Sequence, residues 1–238
     1  MTKVGSLFTT VLCCTLLFVC GGCKIANHEA ESEVKEVNMP VQSEGKLPID
    51  QKCGENFDSK SIPELEVNVS DPFISRTISF ELKMAADKVP SSIQSTPLEN
   101  FLPKTEKVPG VVGTKVLIGT HFGPTGSRRL VCLTDHSTAA EEVIENKPGS
   151  QFKYKVWNYS SEVAKPIEYA VGEFIATPIS ANKSLVKWTY SFKLKTSVFP
   201  GNLMAPGRFL FKKSFVDGDY AVFMASAAEA MKTNLVVP

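Results

Sequence analysis

The chain has 238 residues, and its 26 lysines and arginines are balanced by 25 aspartates and glutamates, which gives a net charge of +1. This balance, together with the lack of any basic run, argues against a nucleic-acid-binding protein. Only three histidines occur, and beyond residue 23 the chain has only two cysteines, Cys53 and Cys132. The pattern therefore indicates neither a dedicated zinc site nor a disulfide-rich scaffold, and we expect no metal and no cofactor.

The first 22 residues have the features of an export signal. Lys3 supplies a positive start, residues 4–19 are almost entirely apolar or small, and a glycine pair directly precedes Cys23. A charged end, an apolar core and small residues at the cleavage site are typical of secretory signals. Small residues before a cysteine also resemble a bacterial lipobox, whose cysteine is acylated and becomes the first residue of the mature protein. Ordinary secretion and an uncleaved anchor remain open, because Cys20 occupies the position where leucine is usual.

Acylation of Cys23 would anchor the protein in a membrane of the bacterial cell envelope, with its body outside the cytoplasm. Lys24 rather than aspartate follows, which by resemblance to enteric lipoproteins favours the periplasmic face of the outer membrane; secretion is the alternative. In an oxidising compartment Cys53 and Cys132 can pair. Because Cys53 falls in a predicted linker, the sequence leaves this pairing open.

Residues 23–70 read as a linker. The segment is polar, rich in glutamate and punctuated by prolines and glycines, and it shows neither a helical nor a two-residue apolar period. Such a stretch buries too little apolar surface to offset the entropy lost on ordering. We therefore expect a signal peptide over residues 1–22, a lipid-anchored disordered linker over 23–70, and a folded domain over 71–238.

The folded domain begins with a strand and two short helices. Apolar and polar residues alternate over 74–84, which indicates a half-buried strand. Helices are predicted over 88–95 and 98–102, with a break at Pro97. A succession of strands follows, and its short Gly- or Pro-containing connections predict an antiparallel meander. These strands cover residues 114–122, 127–133, 139–145, 151–159, 167–177 and 186–194.

The last element is an amphipathic helix from about residue 206 to residue 235. Phe209, Val216, Phe223 and Met231 recur at helical spacing. The sequence Asp-Gly-Asp at 217–219 predicts a break into two helices. A long amphipathic helix must bury its apolar face, and the apolar face of the strands is the available partner.

Several short motifs accompany this order of elements. They are the strand over 74–84, Leu102-Pro103, the segment 108–111, Gly113, the turn and arginine pair at 126–129, Glu142-Val143-Ile144, Tyr169 ahead of Pro178, and Val186-Lys187-Trp188. Taken together, these motifs resemble the START-like superfamily, also called SRPBCC, and most closely its polyketide cyclase/dehydrase-like branch, over about residues 72–235.

The resemblance implies an α+β helix-grip fold. In this fold a curved antiparallel sheet of about seven strands wraps around a long C-terminal helix, two short helices follow the first strand, and a cavity remains between sheet and helix. Periodicity nominates inward side chains for that cavity, and His121 at a strand end is a candidate for its mouth. The alternative is that the aromatic side chains simply fill a core. The predicted ligand-binding residues are Phe80, His121, Tyr154, Tyr169, Trp188, Tyr190, Phe192, Phe223 and Met231.

Three functions are compatible with these features. The first is the binding of a hydrophobic small molecule or lipid, with His121, Tyr154 and Tyr190 setting its orientation. The second is an enzyme of cyclase/dehydrase type in which His121, Glu142 or Tyr154 transfers protons in the same cavity. The third is a non-catalytic, partner-binding or structural lipoprotein with a collapsed cavity. No nucleophilic constellation is visible, and an inward Glu142 near Arg129 would form a buried ion pair.

Overall fold

The computed structural model describes Cys53 and residues 62–236. The predicted signal peptide, the lipidation of Cys23 and most of the predicted linker lie outside these residues. The structural statements below concern the described part of the chain.

Seven strands form one antiparallel sheet in the order β1-β7-β6-β5-β4-β3-β2. Strands β2 to β7 follow one another as a meander, and β1 pairs with β7 at the far edge. The antiparallel meander predicted from the short connections is confirmed. The strands are β1 (Ile74–Leu82), β2 (Val111–Ile118), β3 (Arg128–Leu133), β4 (Thr138–Lys147), β5 (Gln151–Trp157), β6 (Ile167–Ser180) and β7 (Lys183–Leu194).

The connection from β1 to β2 is helical, as predicted. A 3₁₀ turn (Ala86–Lys88) leads into helix α1 (Val89–Ser95), and a second 3₁₀ turn (Leu98–Asn100) follows. Pro90 lies in the first turn of α1, where its missing N–H group costs little because no intrahelical partner exists there.

The C-terminal helix runs from α2 (Met204–Phe211) through a π-helical segment (Lys212–Asp219) into α3 (Tyr220–Asn234). The predicted break at residues 217–219 is therefore wrong, because the chain widens into a π-helix there instead of leaving the helix. Lys212 Nζ lies 2.7 Å from Asp217 Oδ1, five residues on, which is the spacing of neighbours along a π-helix. Arg76 of β1 also approaches this carboxylate, at 3.5 Å.

One face of the sheet, the inner face, packs against this helix. Trp188 and Phe192 of β7 belong to the same buried apolar cluster as Phe223, Ala227 and Met231 of α3. The helix thereby buries its apolar stripe on a curved sheet. This is the helix-grip fold that the sequence predicted.

The opposite, outer face of the sheet is apolar over β4, β5 and β6 and polar over β1 and β7, and the chain before β1 covers the apolar part. Ile62 and Leu65 pack with Trp157, and Trp157 Nε1 donates a 2.9 Å hydrogen bond to the carbonyl oxygen of Pro63. Lys155 Nζ donates to the carbonyl oxygen of Leu65 at 2.5 Å. Residues 62–70, which the sequence assigns to the linker, thus lie against the sheet, and we call residues 62–73 the strap.

Charged contacts and a disulfide add to the attachment of this N-terminal region. Arg128 on the outer face lies 2.9 Å from Glu64 of the strap, and it also contacts Glu142 at 2.5 Å. Cys53 forms a disulfide bond with Cys132 of β3, with a Cα–Cα distance of 5.1 Å. The pairing that the sequence left open is therefore present.

We predict that Cys53→Ser destabilises the domain. The bond joins residues 79 positions apart, and a cross-link over a loop of this length contributes about 2–4 kcal/mol by restricting the unfolded chain. Urea unfolding of the oxidised proteins measures the difference. Reduced wild type serves as the control and should unfold at the same urea concentration as the variant. A variant as stable as oxidised wild type would contradict the expectation.

Candidate ligand-binding cavity

A cavity of about 120 Å³ lies between the inner face of the sheet and the C-terminal helix. An engineered cavity of about 150 Å³ holds one benzene molecule, whereas drug-sized ligands occupy about 300–1,000 Å³. The space thus fits a molecule of one or two rings. It is too small for a whole membrane lipid.

Aromatic side chains from both layers form one side of the cavity. The rings of Phe192 and Tyr220 lie 4.8 Å apart, and those of Tyr190 and Tyr220 lie 5.0 Å apart. Phe215 and Phe223 of the C-terminal helix extend this wall. Besides Glu141, Ser161 and the polar-edged rings of Tyr154, Tyr159 and Trp188, the rest of the wall is apolar and consists of Leu102, Val108, Pro109, Val111, Val131, Leu133, Ala139, Val156, Val163, Ala164 and Ile167.

Gly172 makes room for the tyrosines on the cavity wall. It lies between Tyr154 of β5 and Tyr190 of β7 in the register of the sheet. A Cβ atom at this glycine would collide with the ring of Tyr154. The missing side chain therefore lets the Tyr154 ring lie over the backbone of β6.

Glu141 is the one carboxylate on the cavity wall. Its Oε2 accepts a 2.6 Å hydrogen bond from Arg129 Nε, and both side chains are buried. The guanidinium carbon of Arg129 lies 3.8 Å from the centre of the Phe122 ring, so Arg129 is held from a second side. The negative charge of Glu141 is thereby matched within the wall.

Two polar groups of the wall residues are buried without a hydrogen bond of normal geometry: Trp188 Nε1 and Tyr159 Oη. Tyr154 lies close to Trp188 Nε1, and Tyr190 lies close to Tyr159 Oη. An unsatisfied buried group costs about 1–3 kcal/mol. Within the described chain, the cavity wall therefore contains two buried polar groups that meet a neighbouring tyrosine but make no hydrogen bond of normal geometry.

Burial keeps the tyrosine hydroxyls of the cavity neutral. It is the largest cause of a raised pKa at each of them, because the surroundings disfavour the phenolate. These hydroxyls can therefore donate a hydrogen bond at any physiological pH. The tyrosines are Tyr154, Tyr159, Tyr190 and Tyr220.

Five of the nine predicted ligand-binding residues lie on the cavity wall. They are Tyr154, Trp188, Tyr190, Phe192 and Phe223.

Phe80 and Met231 are buried in the main core beyond the cavity wall. His121 is exposed in the turn after β2, where its Nδ1 lies 3.1 Å from Thr120 Oγ1. None of the three lines the cavity. The sequence correctly indicated that Phe80 and Met231 are buried and that His121 lies near a strand end, but neither property shows whether a side chain reaches the cavity.

Tyr169 lies on the outer face, contrary to the inward position that the sequence predicted. Its hydroxyl donates a hydrogen bond to Asp71 of the strap, and its ring meets Phe73 edge to face at 5.7 Å. The register of β6 shifts between Ile167 and Tyr169. Such an irregularity breaks the strict alternation of sides that the prediction assumed.

The two acidic neighbours on β4 point to opposite faces, as expected for adjacent strand residues. Glu142 faces outward, 3.0 Å from Lys155 Nζ and in contact with Arg128, so the inward pair of Glu142 with Arg129 does not form. Glu141 faces the cavity instead. The sequence contained a signal for this, because Glu141 has the same parity along β4 as the buried Ala139 and Val143.

Sequence reasoning also missed Tyr159, Phe215 and Tyr220. Tyr159 follows the end of β5, and the other two lie in or next to the π-helical segment. Neither place has a regular period that would indicate the direction of a side chain. Only the helical spacing of Tyr220 to Phe223 gave a weak signal.

No metal-binding cluster is evident at Cys53 or in residues 62–236, where no three His, Cys, Asp or Glu side chains come together. In the same residues no helix is long and apolar enough to cross a membrane.

The site and the fold together define a helix-grip domain with a small, mostly apolar cavity. No protein-family model matches the chain, and no curated protein matches it. Similar solved structures include ginseng major latex-like protein 151 from Panax ginseng, with 15% identity and a TM-score of 0.49, covering 69% of this chain and 98% of that protein. Another is a norcoclaurine synthase point mutant from Thalictrum flavum in complex with a transition-state analogue, with 15% identity, a TM-score of 0.45, and coverage of 69% and 97%.

A bacterial example is XoxI from Bacillus cereus, with 20% identity and a TM-score of 0.41, covering 63% of this chain and 94% of that protein. At these identities and TM-scores, no statement about the function of this chain rests on the likenesses.

We predict that Gly172→Ala destabilises the domain and narrows the cavity. The new methyl group collides with the Tyr154 ring, and overpacking of this kind costs about 1–3 kcal/mol. Urea unfolding measures the loss. Gly218→Ala is the matched control, because its Cβ would meet only ordinary contact at 3.7 Å; that variant should be no less stable than wild type. Equal stability of Gly172→Ala and wild type would contradict the packing described here.

Proposed function

We propose that the domain binds a small hydrophobic molecule in this cavity, as part of a lipid-anchored protein of the bacterial cell envelope. The observation that carries the proposal is a mostly apolar space of about 120 Å³ whose wall includes two buried polar groups without a hydrogen bond of normal geometry. Burial of apolar ligand surface supplies affinity at about 25 cal/mol per Å², before ordering costs. A core that were only structural would gain by filling this space.

The polar groups specify the chemistry of the ligand. An indole N–H can only donate, so Trp188 Nε1 fits a ligand with an acceptor oxygen or nitrogen. The Tyr159 hydroxyl fits either a donor or an acceptor. Glu141 is already matched by Arg129, and an anionic ligand would lie beside a carboxylate. The ligand class that fits is a neutral molecule of one or two rings with a carbonyl or hydroxyl group. For a lipid, only part of an acyl chain would enter.

Envelope localisation rests on the sequence of residues 1–23 and is supported by the disulfide. A bond between Cys53 and Cys132 persists in oxidising compartments and is rare in the cytosol of mesophiles. The lipid anchor at Cys23 belongs to the same proposal. Metabolic labelling with a radioactive fatty acid tests it: wild type should incorporate label and Cys23→Ala should not. Labelling of both, or of neither, would contradict acylation at Cys23.

A second candidate function is an enzyme of cyclase/dehydrase type. Of the proton-transfer groups expected from the sequence, His121 and Glu142 lie outside the cavity, and only Tyr154 lines it. The observation that favours this alternative is the carboxylate of Glu141 on the same wall. An enzyme would use Glu141 and Tyr154, so turnover of any substrate would be lost in Glu141→Gln, while a binding protein would keep its ligand.

We predict that the purified full chain binds acetophenone more tightly than ethylbenzene. The two molecules have nearly the same size and shape, but only acetophenone offers a carbonyl oxygen to Trp188 Nε1. One hydrogen bond contributes about 0.5–1.5 kcal/mol, which corresponds to about a 2- to 13-fold difference in affinity. Isothermal titration calorimetry measures both affinities.

Trp188→Phe should remove this preference, because phenylalanine keeps the stacking on Phe174, whose ring centre lies 5.0 Å away, but lacks the donor. Trp157→Phe is the matched control, since Trp157 lies on the outer face; it should keep the preference, as should His121→Ala. If neither probe binds, and native mass spectrometry finds the purified chain empty, the partner-binding or structural alternative is favoured.

A further inference from the structure

Several large apolar side chains are exposed within residues 199–210, at and just before the start of the C-terminal helix. Phe199 is 61% exposed and Phe209 is 65% exposed, and Leu203, Met204 and Leu210 are exposed as well. Single exposed apolar residues are common, but a group of this kind marks an interaction site. We call these five residues the mouth patch.

The patch inverts the usual arrangement of an amphipathic helix. Helix α2 buries Gly207 and Phe211 on its inner side. Its outer side carries Phe209 and Leu210, where a helix facing water would have polar residues. The outer side of α2 is therefore apolar without a partner among the described residues.

The chain segment that carries the patch is basic. Residues 195–216 contain four basic side chains and no acidic one. Lys212 is held by Asp217 at 2.7 Å, while Lys213 Nζ lies 6.0 Å from the centre of the exposed Phe209 ring. Arg208 and Lys195 complete the set. Apolar and basic residues on one exposed helical surface are the features of a segment that lies in the interface of an anionic bilayer.

The patch lies at the same end of the sheet as the opening of the cavity. The backbone N–H of Lys195, just after β7, donates a 2.9 Å hydrogen bond to the carbonyl oxygen of Pro166, just before β6. Val163 of the same β5–β6 connection is exposed and lines the cavity. A surface that covers the patch would thus border the route into the cavity.

We propose that the mouth patch docks on an anionic lipid bilayer, with the opening of the cavity toward the membrane. Phe199, Phe209 and Leu210 enter the acyl-chain boundary, and Arg208 and Lys213 contact the anionic headgroups. The basic charge selects an anionic surface over a second copy of this chain, which would bring the same basic side chains together. The docking is independent of ligand binding and of the acylation of Cys23.

The test uses the full chain with vesicles of phosphatidylcholine and phosphatidylglycerol that have brominated acyl chains. Phe209→Trp places a fluorophore in the patch. Ile179→Trp is the matched control, because Ile179 is 49% exposed at the β6–β7 hairpin, the opposite end of β6. Trp157 and Trp188 are buried and give the same background in both variants.

We expect several-fold stronger bromine quenching of Phe209→Trp than of Ile179→Trp. Arg208→Glu and Lys213→Glu, each added to Phe209→Trp, should shift the equilibrium between the docked and the undocked patch about five-fold or more toward the undocked state on anionic vesicles at low salt, and so weaken the quenching, since each basic residue near such a surface contributes about that factor. High salt should reduce these differences by screening. An acylated chain stays on the vesicle whether or not the patch docks. The difference in quenching between Phe209→Trp and Ile179→Trp therefore reports which surface faces the lipid.

Equal quenching at the two positions, or no quenching at either, would overturn the proposal. So would sedimentation velocity that shows a dimer abolished by Phe209→Gln, because a second copy would then cover the patch. Phe209 does not line the cavity, so Phe209→Gln should bind acetophenone as wild type does. Loss of docking with binding retained would therefore be distinguishable from failure of the ligand-binding proposal.

Discussion

The structure depends on covering a sheet that is apolar on its inner face and on the β4–β6 part of its outer face. An antiparallel sheet usually leaves one face to water, but here β4, β5 and β6 present Ala140, Trp157, Tyr169 and Val171 on the outer face. The C-terminal helix covers the inner face, and the strap covers the apolar part of the outer one. The strap does so with apolar side chains such as Ile62 and Phe73, while carbonyl groups of Pro63 and Leu65 accept hydrogen bonds from donors of the sheet.

Coverage of the inner face is incomplete, and this leaves the space in which function is proposed. The helix seals the end near Met231 with small and medium side chains, whereas large rings around Tyr220 meet at the other end and do not interlock fully. Gly172 adds to the effect by allowing Tyr154 to lie against the sheet. The end around Tyr220 also carries the exposed apolar surface of α2. The unfilled interior space and the exposed apolar side chains thus lie at the same end of the domain.

The sequence predicted the elements well, because periods of two and of 3.6 report which side of an element is buried. It also predicted the wall residues of β7, where alternation is unbroken from Val186 to Leu194. It failed where the backbone departs from regularity: Tyr169 follows a register shift, and the segment at 217–219 widens into a π-helix. The strap escaped prediction because its apolar residues follow no sustained period and part of its attachment uses main-chain carbonyls, which leave no pattern in the residue types.

If the chain is anchored at Cys23 as proposed, the disulfide has a mechanical consequence for the domain. A pull on the chain ahead of Cys53 enters the sheet at Cys132, in β3, through covalent bonds. The load therefore bypasses the strap, whose hydrogen bonds would otherwise be peeled away one after another. Neighbouring strands β2 and β4 flank β3 on both sides and share that force, so the covering of the outer face stays in place under tension.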